Sequence, residues 1–146
     1  MKTIIVAIDF SDKTLRLLHE AEAMARCYSN AHVYLIHVAA PDPVFVGYEA
    51  GPSEERIFRS NKLHEEKKEL EGYSVNLREA GITATPLLLQ GETSKLLIEQ
   101  TKHLHASLLI MGTHGKGLAK SVILGSISHD IVKKICCPIL LIPCNN

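Results

Sequence analysis

The chain has 146 residues, 46% of them apolar and 22% charged, a size for one domain with a single buried core. Its 16 Lys plus Arg balance 16 Asp plus Glu, so no basic excess marks a nucleic-acid face. No apolar run approaches the ~18 residues of a membrane span. The start, Met1-Lys2-Thr3-Ile4-Ile5, runs into a strand pattern without a cleavage site, so we expect no signal peptide and a cytoplasmic protein.

Ile4-Ile5-Val6-Ala7-Ile8 is a continuous apolar run rich in β-branched residues, the pattern of a strand buried on both faces. Asp9-Phe10-Ser11-Asp12 ends it, with Ser11 placed to cap a helix and Asp12 suited to its first turn. Leu15, Leu18, Ala21 and Ala25 recur at helical spacing up to about Tyr28, and Ser29-Asn30 breaks the pattern. A second strand covers residues 32–38. Residues 39–52, with three prolines and two glycines, have no period and read as a loop.

A long helix follows over residues 53–80, with Gly81 as a natural C′ residue. Its charged stretch, residues 62–71, reads as a solvated face with i,i+4 pairing. Residues 82–89 form a third strand, and Gly91-Glu92-Thr93-Ser94 opens a helix to about His105. Ser107-Leu108-Leu109-Ile110-Met111 is the fourth strand, and a Gly-rich loop follows it. A fourth helix over residues 126–134 and a short strand, Ile139-Leu140-Leu141-Ile142, complete the chain. Alternating strands and helices predict an α/β fold with a parallel sheet and helices on both faces. With no repeat or composition break, residues 1–146 are read as one domain.

Cys27, Cys136, Cys137 and Cys144 lack the spacing of a disulfide framework or a Cys-x-x-Cys motif, and are expected to be buried, reduced thiols. His103 and His105 diverge at a helix end, so no metal site is assigned to them. His37 reads as a strand-end histidine rather than a base.

In such sheets ligands bind beyond the carboxyl ends of the strands, near the reversal of strand order. Asp9, Val38 and Gly112 all follow strands and are expected on that edge. A strand, a Gly-rich loop and a helix N-terminus in that order make a phosphate-binding device, through close backbone N–H groups and a positive dipole end. Two common phosphate motifs fail here. Gly112 and Gly117 have P-loop spacing, but Leu118 and Ala119 replace the Lys and the hydroxyl residue. Gly115 and Gly117 begin a dinucleotide pattern, but Lys120 stands in its third position.

What remains is Gly-x2-Gly-x9-Gly-Ser, at Gly112, Gly115, Gly125 and Ser126. With the opening Ile-Val-Ala-Ile-Asp9-Phe-Ser11, the Leu-Ile-His37-Val38 strand and the closing Cys137-Pro138-Ile-Leu-Leu-Ile142, it resembles the ATP-binding branch of the universal stress protein family over essentially the whole chain. The resemblance implies an open five-stranded, Rossmann-like sheet of the adenine nucleotide alpha hydrolase type, in strand order 3-2-1-4-5. It also implies a homodimer, a role in stress response, and ATP, or ADP or AMP, as ligand.

By the same resemblance, Asp9 with the backbone of Ala7 and Ile8 holds the adenosine end, and Val38 contacts adenine. Met111, Gly112 and Gly115 line the ribose and phosphate path. Gly125, Ser126, Ile127 and Ser128 grip the phosphates through backbone amides and two hydroxyls; Ile127 replaces the valine common there. Each residue also has a plainer reading: Asp9 as a turn-former, Gly112 and Gly125 as turn glycines, Ser126 as an N-cap, Ser128 as a solvated first-turn residue. Lys116, Lys120 and His114 are further candidate phosphate contacts.

Mg2+ with the nucleotide would take a carboxylate from Asp9 or Asp12. No nucleophile with an activating base can be assembled from spacing, so the leading expectation is a regulatory binding module. The alternatives are a slow ATPase or autophosphorylating protein, with Ser126 or Ser128 as acceptor, and a nucleotide-free dimerisation or chaperone-like module. The short apolar last strand, placed at a sheet edge, favours a dimer formed through it.

Overall fold

In the computed structural model, the described residues are 1–41, 53–113 and 124–143. Five strands, β1 (Lys2–Ile8), β2 (Ala31–Ala39), β3 (Thr83–Gln90), β4 (Leu108–Gly112) and β5 (Ile139–Ile142), form one parallel sheet in the order β3-β2-β1-β4-β5. Four helices alternate with them: α1 (Thr14–Cys27), α2 (Ser53–Glu79), α3 (Thr93–His103) and α4 (Ser126–Lys134). The doubly wound sheet and its strand order are those expected from the alternation and the family resemblance.

The period of two along the strands sorts the core into two layers. Ile4, Val6 and Ile8 point to one face with Val33, Leu35, Leu108 and Ile110, where Leu17 and Ala21 of α1 and Leu70 and Leu77 of α2 meet them. Ile5, Ile36, Leu109 and Met111 point to the other, against Leu97 of α3 and Ile131 of α4. Because β1 and β4 are covered on both faces, almost every residue in them is buried, and their sequences read as unbroken apolar runs. β3 pairs only with β2, and an edge strand tolerates Pro86, which has no N–H to donate.

Two helix ends follow the expected chemistry. Gly81, at φ +82°, turns the chain out of α2: its N–H donates to Arg78 O at 2.9 Å and the Ile82 N–H donates to Leu77 O at 3.0 Å. This paired closure of the last carbonyls uses the left-handed backbone that glycine adopts without strain. The charged stretch of α2 is solvated as expected, with Lys62 and Glu66 pairing at 4.0 Å, and burial is confined to Leu70, Ser74 and Leu77 in its second half.

Three expectations need correction. α1 starts at Thr14 behind Lys13, and Ser11 does not cap it; Ser11 instead closes the turn after β1, its Oγ accepting from the Lys13 N–H at 3.4 Å. α3 ends at His103 rather than near His105, because His105 takes φ +49° and leaves the helical path. The described cysteines are free thiols but not buried ones. Cys27, at the outer end of α1, and Cys136, between α4 and β5, are exposed. Cys137 is half-buried, and burial pushes its thiol up from the ordinary range. Cys144 lies outside the described residues.

Candidate functional site

Parallel strands deliver all their carboxyl ends to one edge of the sheet, and β1 and β4, adjacent in space, lead to helices on opposite faces. A cleft of about 250 Å³ opens at that edge. Its walls include Ala7, Ile8 and Asp9 from the end of β1, Val38 from β2, Met111 and Gly112 from β4, and Gly125, Ser126, Ile127 and Ser128 from the start of α4. Every nucleotide-contact residue implied by the resemblance lines this one cavity except Gly115, which lies outside the described residues with His114, Lys116 and Lys120.

Local chemistry fixes each wall. Asp9 turns its side chain back on the chain, Oδ1 accepting the Ser11 N–H at 3.0 Å, so it does form the turn that the plainer reading assigned to it. Phe10 follows with φ +54°, unusual for a non-glycine residue, and its ring lies 4.4 Å from that of His37. Strain of this kind concentrates where a tight turn must present a site. Tyr73 of α2 stacks on Phe10 at 6.4 Å and donates its hydroxyl to Glu69 at 2.6 Å. Burial, then the bond to Glu69, push the Tyr73 phenol up to about 12.

His37 is a strand-end histidine with a defined tautomer. A carbonyl only accepts, so the 2.7 Å bond between Nδ1 and Ile8 O places the proton on Nδ1. Nε2 lies 3.6 Å from the Glu66 carboxylate, an attractive contact only when both ring nitrogens carry protons, and this brings α2 to the rim of the cleft.

At α4, Gly125 is the N-cap residue, with φ −67° and ψ 160°, and it has no side chain to cap with. No acidic residue occupies the first turn. Ser126 is the first helical residue, exposed at the cleft, rather than the cap. Ser128 is 3% exposed and donates its hydroxyl to Gly112 O at 3.1 Å. That bond ties the first turn of α4 to the end of β4, so the plainer reading of Ser128 as a solvated residue does not hold. Gly125 N–H donates to Thr113 O at 2.8 Å, closing the same junction.

The cleft also draws on residues that the sequence reading did not assign to it: Ser11, Lys13 and Leu17 around the start of α1, Ile36 and His37 of β2, and Thr93 and Leu97 of α3. Those on helices reach the cleft across crossovers, so no local motif marks them. Leu97 shows a local signal only, its place in an apolar helical face. Ile36, Val38 and Leu97 make an apolar wall, whereas Gly125, Ser126 and Ser128 present polar backbone and hydroxyls. The arrangement sets an apolar wall against a polar one at a helix start, chemistry that would suit a ligand with an apolar end and an anionic end.

Asp9 is the one carboxylate among the described lining residues, and Asp12 does not line the cleft. Among the described residues no helix is long and apolar enough to cross a membrane.

The model of the universal stress protein family matches residues 1–143. A universal stress protein of Thermus aquaticus is 32% identical over 143 residues, covering 97% of this chain and 98% of its own length. The structure of hypothetical protein MJ0577 superimposes with a TM-score of 0.82 at 25% identity, over 99% of this chain and 97% of that one; the protein belongs to Methanocaldococcus jannaschii. A universal stress protein of Archaeoglobus fulgidus, solved in complex with dAMP, shares the fold with a TM-score of 0.68 at 22% identity, over 97% of each chain. The chain belongs to the universal stress protein family.

Proposed function

We propose that the chain binds an adenine nucleotide, ATP or its hydrolysis products ADP and AMP, and acts as a cytoplasmic, homodimeric regulatory module whose occupancy reports the energy or stress state. The observation that carries this reading is the convergence of Ala7, Ile8, Asp9, Val38, Met111, Gly112, Gly125, Ser126, Ile127 and Ser128 on one cavity at the switch point of the sheet. The family relative solved with dAMP supports an adenine nucleotide as the ligand class.

In this reading the adenosine end lies toward Asp9 and Val38, and the phosphates lie on the α4 amides. The Ser126 hydroxyl is exposed to them. Ser128 acts chiefly by holding the α4 turn in register with Gly112. Gly115 completes the phosphate path. Were Mg2+ bound with the nucleotide, Asp9 is the one carboxylate among the described lining residues that would hold it, since this ion typically needs only one or two carboxylates besides phosphate oxygens.

The dimer forms through β5, an apolar edge strand that pairs only with β4 in the monomer. Light scattering would then return about twice the 16.1 kDa of one chain.

Nucleotide released by denaturing freshly purified protein tests the reading directly. We expect adenine nucleotide in the supernatant and, for stripped protein, stabilisation by about 2.7 kcal/mol when ATP stands at about 100 times its Kd. No nucleotide, together with no shift in Tm at millimolar ATP, refutes it. Incubation with γ-labelled ATP separates binding from turnover or transfer to Ser126; the binding reading expects ATP unchanged at stoichiometric protein.

A further inference from the structure

Asp9 leaves β1 where the strand is held from one side. Pairing with β4 ends at Val6 and Ile110, whereas pairing with β2 continues to Ile8, which is in register with His37. From there a single ring brackets Asp9. The carbonyl oxygen of Ile8, just before it, accepts from His37 Nδ1 at 2.7 Å, and the ring of Phe10, just after it, lies 4.4 Å from the imidazole at 50°. The His37 side chain is only 12% exposed, and it lines the cleft together with Ile8, Asp9 and Val38.

These two contacts meet two needs of the turn. Phe10 sits at φ +54°, where any residue but glycine is strained, so the conformation persists only if its surroundings hold it. The imidazole and Tyr73 of α2 together hold the Phe10 ring. Ile8 is buried, and its carbonyl at the strand end gains a donor from His37; a buried carbonyl deprived of its donor is costly. The bond from Ser11 N–H to Asp9 Oδ1 orients the carboxylate within the turn, but it does not fix where the turn lies relative to β2. His37, a residue of β2, does.

Resting on the adenine-nucleotide reading above, we propose that His37 is a positioning residue for the adenosine end: holding Ile8 O with its edge and Phe10 with its face, it fixes Asp9 relative to Val38 and keeps that wall of the cleft formed before the nucleotide arrives. A preformed wall spares the ligand the cost of ordering it. The effect acts on the adenosine end and is therefore independent of the number of phosphates.

Calorimetric titration of ATP and AMP into full-length wild type, His37→Phe and His37→Asn, well below every Tm, tests the assignment. His37→Phe keeps a flat ring for Phe10 but loses the donor to Ile8 O, and should weaken ATP and AMP by the same factor, about tenfold. In His37→Asn the side-chain amide can donate from near the place of Nδ1, and affinity should return to within about threefold of wild type. A merely structural role would lower the Tm of His37→Phe and leave both affinities within about twofold of wild type, a result that overturns the assignment. A loss for ATP alone, or an asparagine variant no better than phenylalanine, overturns it as well. Heteronuclear NMR of the wild-type imidazole serves even if a variant does not fold: a proton on Nδ1 is expected with and without nucleotide, and a ring protonated on Nε2 alone overturns the assignment. In each of these cases the nucleotide reading stands. If wild type binds neither ATP nor AMP, that reading fails and takes this inference with it.

Discussion

Two helices begin at the same cleft and treat their first N–H groups in opposite ways. At α3 the Glu92 carboxylate caps the helix internally, accepting from Ser94 N–H at 3.0 Å and Lys95 N–H at 2.9 Å. The Ser94 hydroxyl adds a third bond at 2.6 Å and is the main cause that holds the Glu92 carboxyl below its usual range. At α4 the N-cap is Gly125, which offers no side chain, and the first turn has no acid. One helix is finished by its own side chain; the other begins at the cleft with no cap from its N-cap residue and no acid in its first turn. In the proposed nucleotide reading the difference distinguishes a wall of the cleft from its grip, although Thr93 and Ser126 line the same cavity.

Giving α4 an acid of its own should erase that difference, and this is the largest effect expected. Ser126→Asp places a carboxylate at an exposed first-turn position. It should raise stability by about 0.3–1 kcal/mol through the dipole. The same charge should repel phosphates and weaken ATP by at least about tenfold, or roughly 1.4 kcal/mol. Urea unfolding and calorimetry on one preparation read both changes; a variant with unaltered ATP affinity would mean that α4 is not the grip.

The converse change acts on the wall. Glu92→Ala should cost about 1 kcal/mol of stability, as loss of a helix cap does. Nucleotide affinity should stay within about twofold of wild type, because Glu92 does not line the cleft.

The smallest effect is its pH dependence. A carboxyl whose folded pKa is depressed contributes stability that is fully present above the unfolded value, about 4.3 for glutamate, and is lost as pH falls through the folded one. The stability gap between wild type and Glu92→Ala should therefore be flat near neutrality and shrink in acid. A gap that persisted at pH 2–3 would assign the cost to packing rather than to the ionised cap.

Much of this arrangement is written in the chain at short range. Ile4 to Ile8 and Leu108 to Met111 announce buried strands because both their faces are covered, and Gly81 announces the end of α2 because only a left-handed residue closes it cheaply. Asp9, Val38 and Gly112 fall on the cleft because every strand of a parallel sheet ends on the same edge. What escaped the sequence is what depends on distance in space. Lys13, Thr93 and Leu97 enter the cleft through helix placement. The Ser128 hydroxyl meets Gly112 O only after α4 docks, and Cys27 is exposed because α1 turns that side outward. Ser11 looked like a cap because its residue type suits one, but Asp9 draws its N–H into a turn first and the helix begins later.

The order of strands also bears on how the molecule is made. β1 precedes the other four strands in the chain yet lies in the middle of the sheet, where Ile4 pairs with Val33 on one side and with Leu108 on the other. The first pairing spans a single α-helix, whereas the second waits for most of the chain. Contacts so distant in sequence raise the contact order, which across small domains goes with slower folding. The seam between β1 and β4 is thus the longest-range pairing in the sheet, and the cleft sits on top of it. A ligand bound there would clamp the joint, protecting the amide protons along β1 and β4.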